Sequence, residues 1–206
     1  YYQNMMKENN NSNLIIVISS PSGAGKTSVC KKLIERDKQI SLSISDTTRP
    51  ARDNESNGID YNFIEEIEFR KRIQNNSYIE YANVFGNFYG SQHKNIINNF
   101  NNNKDVLFDI DWQGAAQLKK SSYFNIISIF IIPPSKEAIY KRLKLRAETS
   151  GDDKIAINER MRQYDTEMSH KDDYDYIIIN DVLDTCINEI ELIINRHRKI
   201  LVNQSD

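Results

Sequence analysis

A glycine-rich segment, residues 20–27, follows a short apolar run at residues 14–18 near the start of the chain. The run is β-branched, uncharged and too short for a helix, so it predicts a buried strand. After the segment, Val29, Leu33 and Ile34 recur at helical spacing. A strand, a glycine turn, Lys-Thr and a helix in this order indicate a phosphate-binding loop. The segment starts with Ser where the usual pattern has Gly, so a Gly/Ser-rich turn that caps a surface helix is the alternative.

The chemistry of such a loop follows from its backbone. Gly23 and Gly25 allow main-chain N–H groups to turn toward a polyphosphate, and the N-terminus of the following helix adds a favourable dipole. The Lys26 ammonium should reach the β and γ phosphates, and the Thr27 hydroxyl should ligate Mg²⁺. The expected ATP-binding residues of the loop are Ser22, Gly23, Ala24, Gly25, Lys26, Thr27 and Ser28.

Composition narrows the class of protein. A chain of 206 residues is long enough for one domain, and a net charge of -2 gives no global basic footprint for nucleic acid. Cys30 and Cys186 are too far apart in sequence to indicate a metal site or a disulfide framework. No apolar run reaches the length of a membrane span, and residues 1–12 are expected to be a disordered lead or an expression remnant. We therefore expect a cytoplasmic protein, with no nucleic-acid or membrane partner and with monomer or homo-oligomer undecided.

Apolar runs that predict strands recur along the chain. Charged or amphipathic stretches separate several of them, and this alternation predicts an α/β fold with a mostly parallel five-stranded sheet flanked by helices. Nearly continuous apolarity within the runs fits strands that are buried on both faces. The predicted strands are at residues 14–18, 106–110, 126–132 and 176–179, with a shorter one at 42–44.

Two regions depart from this alternation. Residues 46–103 contain short alternating runs around a charged helical stretch, which predicts a small inserted α/β lobe. The polar residues 144–158 predict a mobile lid. The chain is then a single domain, residues 13–206, whose core consists of residues 13–45, 104–143 and 159–206.

Two further segments carry chemistry. Residues 45–52 place Arg49 and Arg52 in a loop-like stretch, and the planar guanidinium suits phosphate because it donates two bonds at once. Without other information, a solvated pair of surface arginines is the better interpretation. Asp109 and Asp111 lie at the carboxyl end of a predicted strand, where open α/β sheets bind ligands, and should project to the same side.

Seven segments in this order make the chain resemble the guanylate kinase family, from about residue 14 to residue 198. The resemblance implies a P-loop kinase core, a GMP-binding lobe at 46–103 and a lid at 144–158. It also implies ATP-dependent phosphorylation of GMP, and of dGMP, in purine nucleotide metabolism. The segments are Ser-Pro-Ser-Gly-Ala-Gly-Lys-Thr (20–27), Ser-x-Thr-Thr-Arg-x-x-Arg (45–52), Asn-Gly-x-Asp-Tyr (57–61), Gly-Asn-Phe-Tyr-Gly-Ser (86–91), Asp-Ile-Asp-Trp-Gln-Gly (109–114), Pro-Pro-Ser (133–135) and Ile-Asn-Asp (179–181).

The resemblance implies how guanine is recognised. Ser45, Glu80 and Asp111 correspond to the family's guanine readers, and their oxygens accept from the N1–H and 2-amino donors of the base. Adenine has no donor at N1, so AMP would leave buried acceptors unpaired, which costs on the order of 10⁴-fold in discrimination. The whole implied GMP-binding set is Ser45, Arg49, Arg52, Tyr61, Glu80, Tyr89, Ser91, Asp109 and Asp111.

The resemblance also implies the catalytic set. Arg142, Arg146 and Arg160 match basic residues of the lid and its flanks, and the first two can face the phosphates from one helix, with an exposed helix face as the alternative. The family commonly has glycines around the second arginine, where this chain has Leu145 and Ala147, so either the hinge is stiffer or the lid extends its helix. The implied catalytic residues are Lys26, Arg49, Arg142, Arg146 and Arg160.

Phosphoryl transfer requires positioning and charge neutralisation more than covalent help, so we expect direct in-line transfer without a covalent intermediate. The expected cofactor is Mg²⁺ with ATP as the phosphoryl donor. Thr27 would ligate the metal, and Asp109 would hold it through a water or orient an arginine. Asn180 matches the adenine-side segment of the family.

Three other functions compete. A guanylate-kinase-like module that binds peptides without catalysis would be expected to have a degraded phosphate loop, which is intact here. A P-loop kinase for another small phosphorylated substrate should differ at Ser45, Glu80 or Asp111. A GTPase switch needs a guanine-specificity motif on the donor side, and the sequence contains no recognisable one.

Overall fold

The computed structural model describes residues 13–53, 55–150 and 154–205, without the side chains of 146–150, 154–156 and 204–205. The expected disordered lead and residues 151–153 of the predicted lid lie outside the described residues. The strands are β1 (Leu14–Ser19), β2 (Ile40–Leu42), β3 (Asp46–Thr47), β4 (Asn62–Phe63), β5 (Tyr78–Val84), β6 (Asn87–Gln92), β7 (Asp105–Asp109), β8 (Asn125–Ile132) and β9 (Tyr176–Ile179). The helices are α1 (Lys26–Arg36), α2 (Glu66–Gln74), α3 (His93–Phe100), α4 (Trp112–Leu118), α5 (Lys136–Ser150), α6 (Lys154–Met168) and α7 (Leu183–Ser205), with a 3₁₀ turn at Lys171–Asp173.

The main sheet has five parallel strands in the order β2-β7-β1-β8-β9, as the apolar runs predict. Only the predicted strand at 42–44 is wrong in position. Strand β2 pairs with β7 from Ile40 opposite Asp105 to Leu42 opposite Leu107, and the chain then leaves for a second sheet. Burial of Ile40 decides this register, because that side chain is 2% exposed and packs in the core beside β1.

Alternation along β1 divides the core into two layers. Leu14, Ile16 and Ile18 point toward α1 and α7, whereas Ile15 and Val17 pack with α3 and α4 on the other face. Both sets are fully buried, which explains why the strand reads as a continuous apolar run. Helix α3 falls within the predicted lobe limits yet packs on the main sheet. Within the described part of the chain, no helix is both long and apolar enough to cross a membrane.

A second sheet, in the order β4-β3-β6-β5, forms the inserted lobe. Phe69 from α2 stacks on Tyr78 of β5 and Phe88 of β6, with ring centroids 4.5 and 5.3 Å apart. Beneath them, the fully buried Asp46 carboxylate accepts hydrogen bonds at 2.6–2.9 Å. Its four donors are Asn62, Arg72, Tyr78 and Gln92. This dense packing fixes β5 and β6, which carry Glu80, Tyr89 and Ser91.

Helix α5 runs without interruption through Leu145 and Ala147 to Ser150. Of the two alternatives for Leu145 and Ala147, the backbone therefore fits the one in which the helix extends into the predicted lid. Ile139 and Leu143 of α5 pack with Ile157 of α6 in a small separate cluster. The limits and the motion of the lid remain a prediction.

Helix α7 is tied to the sheet by a charged network around Asp105. This carboxylate accepts from the Leu14 amide and from the Arg198 Nε, both at 2.7 Å. Arg198 also donates to Asp37 at the end of α1, at 2.6 Å. Three separate elements are thus joined at one half-buried arginine.

We predict that Asp105→Ala lowers the free energy of unfolding by about 3 kcal/mol, because it leaves the Leu14 amide without its acceptor and breaks a largely buried pair. The matched control is Asp184→Ala, which breaks an exposed pair with Arg36 and should cost about 1 kcal/mol or less. The two carboxylates differ in exposure, 5% against 70%. Urea unfolding of both variants tests this, and equal losses would contradict it.

Candidate active site

The glycine-rich segment forms a loop between β1 and α1, at the carboxyl edge of the main sheet. Gly23 and Gly25 have φ angles of 89° and 96°, in the region that only glycine adopts without strain. A Cβ at Gly25 would also lie 2.5 Å from the Asn180 amide nitrogen. Both glycines are therefore required by the backbone, as the sequence predicts.

Side chains from outside the loop hold its Ala24 carbonyl. The Asn180 amide donates to this oxygen at 2.7 Å and Arg142 Nη1 donates at 3.3 Å. A second Arg142 nitrogen donates to the Asn180 carbonyl at 2.9 Å. Two residues predicted from the lid flank and the adenine-side segment thus meet at the loop.

Lys26 and Thr27 both contact Asp109 at the end of β7. The Lys26 ammonium forms an ion pair with this carboxylate and donates to the Ile110 carbonyl at 3.1 Å. Thr27 Oγ1 lies 3.3 Å from Asp109 Oδ2. Burial lowers the pKa of Lys26, but the attraction of Asp109 more than offsets it, so the pKa is raised and the ammonium stays charged. The adjacent hydroxyl of Thr27 and carboxylate of Asp109 provide oxygen ligands of the kind that Mg²⁺ prefers.

Asp111 is placed by helix capping rather than by strand alternation. Strand β7 ends at Asp109, so the predicted period of two does not extend to Asp111. Asp111 is the N-cap of α4, and its Oδ1 accepts from the Gln113 and Gly114 amides at 3.1 and 3.0 Å. Its Oδ2 accepts from the Gln113 side chain at 2.9 Å. The cap fixes the carboxylate firmly.

Glu80 is a buried acid with spare acceptor capacity. It is 3% exposed, and its Oε1 has no hydrogen-bond partner among the described residues. Burial raises the pKa of Glu80 to about 7, a hydrogen bond from Ser91 opposes this rise, and the charge of Asp111 adds to it. Gly114 makes room for this carboxylate, since a Cβ there would overlap its Oε2. Next to it, the buried hydroxyls of Ser45 and Ser91 are 2.9 Å apart.

The two predicted phosphate-binding arginines meet at Glu55. Arg49 Nη2 donates to Glu55 Oε1 at 2.9 Å, while the Arg52 amide and guanidinium contact the same carboxylate at 2.9 and 3.4 Å. Arg49 Nε also donates to the Tyr89 hydroxyl at 3.1 Å. The Tyr61 ring lies 5.5 Å from the Arg49 guanidinium and edge-on to Tyr89. The pair is thus an organised cluster rather than two solvated side chains.

Tyr61 of this cluster is influenced by the charges of Asp109 and of Lys26 in the phosphate loop. Burial raises the pKa of its hydroxyl, the nearby charge of Asp109 raises it further, and Lys26 opposes the rise. Lys26 also acts on the pKa of Glu80. The charge of Lys26 therefore influences both the arginine cluster, through Tyr61, and the buried acid Glu80.

The lid arginines are only partly described. The Arg160 guanidinium lies 6.0 Å from the ring centroid of Phe85, at the turn between β5 and β6. The backbone of Arg146 belongs to α5, but its side chain lies outside the described residues.

Three site residues escaped the sequence reasoning. Gln113 stands in a quoted motif, two residues after a carboxylate that begins a helix, and capping rules could have found it. Glu55 lies three residues after Arg52, a spacing that hints at an ion pair. Glu167 accepts from the Ser22 amide of the loop at 3.0 Å across 145 residues of chain, and no local signal points to it.

Comparison with known proteins gives the family of the chain. The guanylate kinase family model matches residues 12–197. The chain is 46% identical over 189 residues to the guanylate kinase of Rickettsia bellii, which covers 92% of this chain and 97% of the relative. It is 41% identical over 185 residues to that of Novosphingobium aromaticivorans, covering 90% and 82%.

A solved structure gives the same result for the fold. The crystal structure of guanylate kinase from Anaplasma phagocytophilum superposes with a TM-score of 0.75 and is 36% identical, covering 90% of this chain and 86% of that one. Because the family model spans most of the sequence and the two relatives are matched over 97% and 82% of their length, the chain belongs to the guanylate kinase family.

Proposed function

We propose that this protein is an ATP:GMP phosphotransferase that converts GMP to GDP by direct in-line transfer. The observation that carries the proposal is the buried Glu80 carboxylate, whose Oε1 has no partner in the described part of the chain and whose pKa is influenced by Lys26 of the phosphate loop. The proposed binding partners are the small molecules ATP and GMP. The cytoplasm is the proposed location, because the two free cysteines would remain reduced there.

Guanine suits the acceptors of the lobe. Its N1–H and 2-amino group are donors, and Glu80 Oε1 is an acceptor without a partner among the described residues. Leaving a buried acceptor unmatched is expensive, so AMP should bind poorly. The Ser45 hydroxyl and Asp111 would complete the recognition. Since the proposed contacts involve the base and the phosphate, dGMP should also be a substrate.

The phosphate of GMP would bind at the arginine cluster. Arg49 and Arg52 already converge on the Glu55 carboxylate. A phosphate offers the same kind of acceptor oxygens with more charge, so it would compete with Glu55 for these donors. Tyr61 and Tyr89 would add hydroxyl contacts beside Arg49, and Ser91 would support the base pocket.

ATP would bind along the phosphate loop, with its phosphates on main-chain amides after Ser22, because the Ser22 amide itself donates to Glu167. Thr27 and Asp109 would hold Mg²⁺, directly and through a water, and the metal would neutralise phosphate charge. Lys26 and the arginines of α5 and α6, Arg142, Arg146 and Arg160, would stabilise the charge of the transferring phosphoryl group. No nucleophilic side chain is needed, because the GMP phosphate itself attacks.

The proposal predicts the order of acceptor use. With ATP and Mg²⁺, GMP and dGMP should be phosphorylated at least about 10⁴-fold more efficiently, in kcat/KM, than AMP. CMP, UMP and dTMP complete the panel, and coupled detection of ADP measures all six. A preference for AMP or dTMP would overturn the assignment of Glu80 and Asp111 as guanine readers. Stoichiometric nucleotide binding without turnover would instead indicate a non-catalytic module.

We predict that Lys26→Met lowers kcat by about 10²-fold to 10³-fold, because it removes a charge directed at the phosphates. The variant also leaves Asp109 with one fewer partner, so its folding must be verified by circular dichroism and urea unfolding. The matched control is Lys32→Met on the exposed side of α1, which should retain wild-type turnover. Near-normal turnover of a folded Lys26→Met variant would remove this lysine from the mechanism.

We predict that GMP binding strengthens as the pH rises through 7. Glu80, with a pKa of about 7, passes from about one-tenth to about nine-tenths ionised between pH 6 and pH 8, and the ionised form accepts from guanine. The KM for GMP should therefore fall by about 9-fold over this range, beyond any change caused by titration of the GMP phosphate. Glu80→Gln measures that background, because it binds the same phosphate without the titrating acid. Parallel profiles for wild type and variant would contradict the base-reading role.

A further inference from the structure

A third carboxylate, Glu167, reaches the phosphate loop from the last turn of α6. Its Oε2 accepts from the Ser22 amide at 3.0 Å. Ser22 precedes Gly23, the first residue of the loop with a positive φ. Glu167 therefore contacts the loop at the point where its backbone changes direction, and the function proposed above does not use it.

Glu167 completes a set of contacts that hold the loop from outside. The Ala24 carbonyl is bonded by Asn180 after β9 and by Arg142 of α5. A Cβ at Gly23 would lie 3.1 Å from Leu143, so this helix also packs closely on the loop. These contacts involve the Ala24 carbonyl and Gly23. Glu167 adds an acceptor for the Ser22 amide.

The end of α6 is itself firmly anchored. His170, three residues after Glu167, stacks on Trp112 with ring centroids 3.7 Å apart and an interplanar angle of 8°. Trp112 is the first residue of α4, directly after the cap Asp111. One turn of chain thus contacts both the phosphate loop and the helix that carries the proposed guanine reader.

We propose that Glu167 is a positioning residue that holds the Ser22 amide, and through it the entry of the phosphate loop, in the arrangement that binds ATP. The inference rests on the proposed function. An acceptor oxygen is what the amide requires, so a glutamine can replace the carboxylate. Without an acceptor, the first half of the loop loses its outer contact while the Ala24 side stays fixed.

The electrostatics of Glu167 argue against a role in stability. Burial raises its pKa to about 7; the Ser22 amide and Lys26 oppose the rise, whereas Asp111 adds to it. Because the folded state holds this proton more tightly than the unfolded state, stability falls as the pH rises from the usual carboxyl value of 4.5 to about 7. At pH 8, removal of the carboxylate relieves this unfavourable charge but also leaves the Ser22 amide without its acceptor, so the two effects oppose each other and the variant should be about as stable as the wild type.

The test compares Glu167→Ala with Glu167→Gln. The alanine variant should bind a non-hydrolysable ATP analogue with Mg²⁺ about 10-fold more weakly and show a similar loss in kcat/KM for ATP, as expected when a charge-assisted hydrogen bond is lost. Its KM for GMP should change less than about 2-fold. The glutamine variant should lie within about 3-fold of wild type in all of these. Calorimetry measures the binding, and coupled assays measure the turnover.

The control is Asp172→Asn, which removes an exposed carboxylate from the following 3₁₀ turn and should match wild type. Tighter binding of the ATP analogue by Glu167→Ala would overturn the inference, since the carboxylate would then act as a competitor of phosphate. Equal losses in the alanine and glutamine variants, or loss of stability at pH 8 in both, would also overturn it. If the wild type fails to phosphorylate GMP, the proposed function fails, and analogue binding still decides the role of Glu167.

Discussion

The candidate site depends on a loop whose shape is set by two glycines. Gly23 and Gly25 take positive φ angles, and the bare Cα of Gly25 leaves space for the Asn180 amide to reach the Ala24 carbonyl. The loop is therefore held at its Ala24 carbonyl by a side chain from a distant part of the sequence. Because β1 and β7 end at the same edge of the parallel sheet, the loop lysine meets Asp109 there. Local backbone freedom and sheet topology together make the site.

Carboxylates of the protein neutralise both cationic clusters of this site. Asp109 pairs with Lys26, and Glu55 joins Arg49 to Arg52. The cations are thus aligned before any phosphate arrives, which is the preorganisation that favours charge development in a transition state. In the proposed function, substrate phosphates would replace the internal carboxylates as partners of these cations. Weakening the internal pairs would lower the affinity for phosphate, but the cations would keep their positions.

The sequence predicted what local patterns determine. The four long apolar runs lie within one residue of β1, β7, β8 and β9, since strands buried on both faces carry an unbroken signal. Strand β2 was displaced because pairing with β7 and burial of Ile40, both tertiary effects, set its limits. The loop glycines were predicted for the right reason. Glu167 could not be, because its partner amide is 145 residues away and contact between them exists only after folding.

Buried acids in this fold divide by whether their oxygens are satisfied. Asp46 is fully buried but accepts from four donors, so it serves the lobe as a structural centre. Glu80 is almost as buried, yet one oxygen lacks a donor among the described residues and its pKa is raised to about 7. An unsatisfied buried acceptor destabilises the free protein. It becomes favourable only when a ligand supplies the donor. In the proposed function, the same atom that weakens the empty lobe would allow it to distinguish guanine from adenine.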